Sequence, residues 1–126
     1  MANIKFSYMY RNFLDEEKET SIVFRDPRKL GPAYLDRHLK HVQYVSKFFI
    51  AESVQVPTCY TYVERTNSLG VYGEPDPVED HPCHQYLRLE STDEPVNDSA
   101  KRRITDFISV LEANKLKAEM LYTEWH

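Results

Sequence analysis

The densest group of chemically capable side chains lies in one six-residue stretch. The stretch reads Glu79, Asp80, His81, Pro82, Cys83 and His84. It brings together carboxylates, imidazoles and a thiol, which are the groups that bind zinc and similar ions. His81 and His84 are three residues apart around a rigid proline, so both could reach one ion from a turn. His81, Cys83 and His84 are therefore a candidate zinc site, while a polar loop that shelters a cysteine would produce the same pattern.

A nucleophilic cysteine is the second chemistry that this stretch permits. An imidazole close to Cys83 would activate its thiolate. Sequence neighbours on a strand point to opposite faces, however, which argues against direct contact between Cys83 and His84. Glycine-rich phosphate loops and the G-x-S-x-G elbow are absent from the sequence. A small metal-dependent or hydrolytic enzyme that uses Asp80, His81, Cys83 and His84 is thus the alternative interpretation.

Two amphipathic segments predict the helices that must position this stretch. The first covers residues 32–49 and is expected to end near Ser46, although residues 47–52 also fit a short strand. Its apolar stripe consists of Leu35, Leu39, Val42, Val45 and Phe49. The second helix is expected to begin at Asp98 or Ser99 and to end at Asn114. Its apolar stripe consists of Ala100, Ile104, Phe107, Ile108 and Leu111.

Alternating apolar residues predict the strands. The predicted strands cover residues 4–11, 20–25, 58–64, 84–91 and 116–123. In the fourth of these, Leu87 and Leu89 are expected on one face and Tyr86 on the other. Residues 65–83 carry the proline and glycine signals of a long loop, and long loops in compact domains are often functional. The order β-β-α-(β)-β-β-α-β predicts a single α+β domain over residues 1–126, with one mainly antiparallel sheet and two helices on one face.

Charge and aromatic side chains favour a surface that binds another protein. The formal net charge is −4, so the chain lacks the basic footprint of a nucleic-acid-binding protein. Residues 74–98 hold eight acidic side chains against Arg88 alone, which would steer a basic partner. Tyrosines on an uncovered sheet face would suit protein contacts, including those of a homodimer. The candidates are Tyr8, Tyr10, Tyr60, Tyr62, Tyr86 and Tyr122.

Targeting signals and membrane spans are not visible in the sequence. No apolar run reaches the roughly 18 residues that are needed to cross a bilayer. The first residues lack the basic and apolar regions of a signal peptide, so we expect a cytoplasmic protein. Cys59 and Cys83 are then expected to be reduced thiols.

Short patches in the first two thirds of the chain carry a family resemblance. They are Tyr8-Met9-Tyr10-Arg11, Val23-Phe24 with Pro27, Phe48-Phe49 with Ala51 and Pro57, and Asp80-His81 with His84-Gln85-Tyr86. In these patches the chain resembles a group of small uncharacterised bacterial proteins. Such proteins tend to carry an aromatic residue and an acid where this chain has Cys83 and Gln85. The resemblance implies an α+β fold without an assigned activity.

The first interpretation is a non-enzymatic, cytoplasmic protein-binding module, for example an immunity-type inhibitor of a basic toxin. It involves no catalytic residue, no cofactor, no nucleic acid and no membrane. The candidate binding residues are Arg11, Asp80, His81, His84 and Tyr86. A homodimer joined through a strand edge or a tyrosine face is a third interpretation.

Overall fold

A single four-stranded sheet organises the chain. The computed structural model describes residues 2–42 and 48–125. The strands are β1 (Asn3–Arg11), β2 (Glu17–Phe24), β3 (Phe48–Phe49) and β4 (His84–Thr92). They are antiparallel and lie in the order β2-β1-β4-β3. The helices are α1 (Pro32–Val42) and α2 (Ile104–Trp125), and two short 3-10 helices, Ala51–Val54 and Thr61–Glu64, lie between β3 and β4. The predicted α+β class is confirmed.

Strand β1 is central and supplies the floor of the core. The predicted inward face is confirmed, since Ile4, Phe6, Tyr8 and Tyr10 are all buried. The expected single buried face is wrong, because Ser7 and Met9 on the opposite face are buried as well. Phe6 contacts the rings of Phe49 and Phe107, with centroids 5.8 Å and 4.9 Å away. The predicted antiparallel hairpin of β1 and β2 is also confirmed.

A bulge in β4 changes which of its side chains face the core. Ser7 pairs with Arg88 and Tyr8 pairs with Tyr86, so Leu87 is left without a partner in the register with β1. An extra residue of this kind moves the following side chains to the other face of the strand. Tyr86 and Leu89 are therefore both buried, while Leu87 is half-buried. The predicted arrangement, with Leu87 and Leu89 together and Tyr86 opposite, is wrong for this reason.

Helix α1 is described from Pro32 to Val42. Leu35 and Leu39 lie on its buried face, as the stripe predicted. Phe49 is buried as well, but it belongs to β3 rather than to the helix. Residues 47–52 were compatible with either a last helical turn or a short strand. Of these, residues 48–49 form the strand β3, and residues 51–52 begin the first 3-10 helix. Val45 and the predicted end at Ser46 lie outside the described residues, and so does the side chain of Val42.

Helix α2 begins later and continues further than predicted. Asp98 forms a turn before it, with the Lys101 N–H donating to the Asp98 carbonyl, and Ala100 is exposed. Asn114 does not end the helix, because its amide donates to the Val110 carbonyl 2.8 Å away, inside the helix. The helix continues to Trp125, and in this second half Ala118 packs against Ile50 and Cys83 in a second small core.

The predicted strand over residues 116–123 is therefore wrong. Leu, Lys, Ala, Glu and Met are strong helix formers, and this preference outweighs the alternation of apolar residues. Of the two described helices, neither is both long enough and apolar enough to cross a membrane.

The predicted strand over residues 58–64 is also wrong. Its backbone is satisfied by a side chain instead of a neighbouring strand, since the Cys59 N–H donates to His84 Nε2 3.0 Å away. The rings of Tyr60 and Tyr62 stack on each other, with centroids 4.9 Å apart, as the chain turns into the 3-10 helix Thr61–Glu64. Tyrosine and threonine suit strands, but here their side chains pack within the turn.

Candidate functional site

The loop over residues 65–83 is held in place by buried polar side chains. The side-chain oxygen of Asn67 accepts hydrogen bonds from the backbone N–H groups of Leu69 and Val71 at 2.9 and 3.0 Å. Asp76 accepts the N–H groups of Ser68 and Val78, both at 2.9 Å. Bonds from a side chain to the backbone two residues later are typical of ordered turns. The loop thus has a built structure although it contains no helix or strand.

Asp80 connects this loop to the turn between β1 and β2. Its carboxylate accepts a bond from the Asn12 side-chain amide at 3.0 Å and another from the Asp76 N–H at 2.7 Å. It also forms an ion pair with Arg65, whose guanidinium contacts Glu16 at 3.1 Å. The Asp80 side chain is fully buried. Its charge is therefore used to close the loop and is not offered to a partner.

Asp76 is likewise an internal residue. Its pKa is held well below the ordinary range by hydrogen bonds, chiefly from the Ser68 side chain and then from the backbone N–H groups of Val78 and Ser68. The residue is buried. Of the four acids in the loop, only Glu74 is exposed, while Glu79 is half-buried.

His81 is fixed by the main chain on both sides of its ring. Nε2 donates to the Arg11 carbonyl at 2.6 Å, and Nδ1 accepts the Cys83 N–H at 3.2 Å. This pattern matches a neutral ring with its proton on Nε2. His81 is buried, and it joins the end of β1 to the start of β4.

Cys83 and His84 lie in the interior and do not contact each other as a catalytic pair. Burial raises the pKa of Cys83 to about 12, with a smaller contribution from Glu52. Its thiol points to the Ala118 carbonyl, 3.7 Å away, on α2. Within residues 2–42 and 48–125, no three His, Cys, Asp or Glu side chains are placed to hold a metal ion. The geometry therefore does not assemble the zinc site suggested by His81, Cys83 and His84.

His84 is a buried neutral histidine. It is fully covered, and burial lowers its pKa to about 4, with a further effect from His81. Its Nε2 accepts the Cys59 N–H, so the ring proton belongs on Nδ1. Among the described residues, no partner for Nδ1 is present.

This burial makes the stability of the fold dependent on pH. Because the pKa of His84 is about 4 in the folded state and about 6.5 when unfolded, the unfolded chain binds a proton first as pH falls. The free energy of unfolding should therefore decrease by about 3 kcal/mol as the pH falls from 6.5 to 4. The contribution of His84 should not change further below pH 4. Urea unfolding of the wild type and of His84→Gln at several pH values measures it. Identical pH dependence of the two proteins would contradict the assignment.

The remaining predicted site residues are separated. Arg11 is exposed, forms an ion pair with Glu17 at 2.9 Å, and borders a cleft of about 310 Å³ that also touches His81 and Cys83. Tyr86 is buried on the helix side of the sheet, where its hydroxyl donates to Asp36 of α1. The structure thus groups Arg11 with Asp80 and His81 but leaves Tyr86 apart. Tyr8, Tyr10 and Tyr60 are buried too, so with Tyr86 they form no exposed tyrosine face.

An apolar surface on the loop was missed by the sequence reasoning. Four large side chains stand exposed on the rigid loop, and we call them the loop patch. They are Leu69, Val71, Tyr72 and Val78, with 71%, 45%, 66% and 69% of their surface exposed. The signal for them was weak, since apolar residues without periodicity in a Pro- and Gly-rich stretch predict neither a core nor a surface.

A second cleft, of about 460 Å³, opens beside this loop. Its walls are aromatic and proline side chains together with carboxylates. They are Glu52, Tyr60, Tyr62, Pro75, Asp76, Pro77, Asp80, His81 and Pro82. The Tyr60 hydroxyl lies 2.9 Å from a Glu52 carboxylate oxygen and 2.9 Å from the Pro82 carbonyl. We call this cleft the tyrosine pocket.

Comparison with known proteins found no match. A scan against protein-family models, a search of curated proteins and a search of solved structures all returned nothing similar to this chain. The resemblance to small bacterial proteins therefore stays a prediction. The function has to be argued from the geometry described above.

Proposed function

We propose that the chain is a non-enzymatic, cytoplasmic module that binds a basic protein partner, in the manner of an immunity-type inhibitor. The observation that carries this proposal is the loop over residues 65–83. Three buried polar side chains, Asn67, Asp76 and Asp80, hold the loop in one conformation. The same loop leaves the four side chains of the loop patch in solvent.

Rigidity and apolar exposure together favour binding. Exposed large apolar side chains are common singly, and four of them on one ordered loop make this loop the candidate interaction site. A loop that is already ordered loses little conformational entropy when a partner binds. The loop patch therefore supplies the features that an anchor in a protein interface requires.

The charge that remains accessible around the loop favours a basic partner. Glu74 is exposed on the loop and Glu52 is exposed on the neighbouring 3-10 helix. Opposite charges at the rim of an interface speed up association and suppress wrong partners. An inhibitor of a basic toxin would need this combination of apolar anchors and acidic rim.

The enzymatic alternative has no support from the described geometry. Asp80 is used in the ion pair with Arg65, and both nitrogens of His81 are bonded to the main chain. Burial keeps Cys83 in its protonated form and His84 in its neutral form at pH 7. A nucleophile or general base needs a group that can change its protonation state near neutral pH.

Capture of the partner from cells of the source organism tests the proposal. The variant replaces Leu69, Tyr72 and Val78 by serine, which removes the three most exposed side chains of the loop patch and leaves the buried acids in place. Because apolar anchors at the centre of an interface contribute most of its affinity, capture should fall by about tenfold or more. The amount of the co-purifying protein is measured by quantitative mass spectrometry.

The matched control is Leu116→Ser with Met120→Ser. Both side chains are exposed on α2 and neither belongs to the loop. This variant should retain the partner at the wild-type level. Equal capture by the loop variant and the wild type, or equal loss in both variants, would contradict the proposal.

A further inference from the structure

The tyrosine pocket has a geometry that suits a flat cation. The rings of Tyr60 and Tyr62 stack with centroids 4.9 Å apart and an angle of 22° between their planes. Tyr60 is buried beneath, while Tyr62 is half-buried and borders the cleft. Pro75, Pro77 and Pro82 line the rest of the wall. An aromatic ring with apolar neighbours can hold a cationic head together with its aliphatic stem.

The carboxylates around the pocket are not all neutralised. Arg65 is matched by Asp80 and Glu16. Within the described part of the chain, Glu52 and Asp76 form no ion pair with a cationic side chain.

Tyr62 reports the same negative field at the pocket. Burial raises its pKa first, and the charges of Glu52, Asp80 and Glu74 raise it further. A cation entering the pocket would therefore be attracted before it makes any direct contact.

We propose that the tyrosine pocket binds an arginine side chain of the protein partner. This inference rests on the proposed function and names the chemistry of the group that is recognised. The guanidinium would lie on the exposed face of Tyr62 and donate to the Glu52 carboxylate. Glu52 has acceptor capacity for this, because Tyr60 supplies only one proton to its two oxygens.

Arginine fits the pocket better than lysine for two reasons. The guanidinium is flat and weakly hydrated, so it stacks on an aromatic ring at a lower cost in lost water than an ammonium does. It also donates two parallel hydrogen bonds to one carboxylate, whereas lysine acts as a point charge. The three prolines provide an apolar wall along which the stem can lie.

An NMR titration of the whole chain tests the pocket without the partner. The probe is N-acetyl-arginine methylamide, with the citrulline analogue as the neutral isostere and the lysine analogue as a second cation. Saturable shifts are expected at Tyr62 and at the amides of residues 61–64. Because a hydrogen bond to a charged group contributes a factor of about ten in affinity, citrulline should bind about tenfold more weakly.

Two variants locate the binding site. Glu52→Gln keeps an acceptor for the Tyr60 hydroxyl but removes the charge, and Tyr62→Leu removes the ring face. Each should weaken arginine binding by about tenfold. Glu112→Gln removes an exposed carboxylate on α2 and should leave binding unchanged. Amide spectra of the free variants confirm that each one is folded.

The outcomes separate this inference from the proposed function. Absence of saturable shifts, equal binding of citrulline, or an equal loss in Glu112→Gln would overturn the arginine pocket. Capture that still depends on the loop patch would in that case leave the proposed function standing. Arginine binding that is lost only in the Glu52 and Tyr62 variants supports the pocket even if the loop variant captures its partner normally.

Discussion

Replacement of Asp80 by alanine is expected to destabilise the folded protein by about 3–5 kcal/mol, which is typical when one partner of a buried ion pair is removed. The change would leave the partly buried guanidinium of Arg65 without its buried partner and the Asp76 N–H without its acceptor, while the Asn12 amide would keep only its bond to Glu16. Urea unfolding at pH 7 measures the loss.

A neighbouring residue provides the control for this prediction. Glu79 is next in sequence and half-buried, and Glu79→Ala should change the free energy of unfolding by less than about 0.5 kcal/mol, as is usual for surface positions. Arg65 also contacts Glu16, so Glu16 is the group that could compensate. A loss below about 1 kcal/mol in Asp80→Ala would show that Glu16 replaces Asp80 and that the buried carboxylate does not hold the loop.

The second large effect is expected in the core, where Phe107→Ala should cost about 3–5 kcal/mol. Phe107 is fully buried on α2 and stacks on Phe24 with ring centroids 4.5 Å apart. It contacts Phe6 edge to face, and the Arg102 guanidinium lies 5.1 Å above its ring. Removing the ring would leave a cavity between the helix and the sheet that its aromatic neighbours cannot fill.

Thermal and urea unfolding of Phe107→Ala provide the measurement. Glu112→Ala is the matched control, because it is exposed on the same helix and alanine favours helix formation. The free energy of unfolding of the control should lie within about 0.5 kcal/mol of the wild-type value. A Phe107→Ala protein with nearly wild-type stability would mean that α2 does not depend on this contact with the sheet.

The fold class could be predicted because the sequence pattern and the burial agree along β1 and on the buried face of α1. The alternation of Ile4, Phe6, Tyr8 and Tyr10 is clean, and every one of these side chains is buried. Leu35 and Leu39 likewise recur at helical spacing and reach the core. The predictions were wrong where the alternation of apolar residues suggests one secondary structure and the residue types favour another. Residues 116–123 alternate like a strand, but Ala118 is buried in a second core that only the folded chain creates.

The site was less predictable than the fold. Residue types marked the acidic loop correctly, but they could not show which acids turn inward. Asp80 is turned inward, where it accepts a hydrogen bond from Asn12, a residue 68 positions earlier in the chain. Such a contact is decided by how the loop closes, and periodicity carries no information about it. The buried state of His84 depends in the same way on the distant Cys59 N–H.

Site-specific photo-crosslinking tests the central claim, which is that the ordered loop is the surface that a protein partner contacts. A benzophenone amino acid is placed at Tyr72 in one variant and at Leu116 on α2 in another, and both are irradiated in cells of the source organism. An adduct of defined mass from position 72, with none from position 116, is the expected result. An adduct from position 116 alone, or none from either position, would contradict the claim.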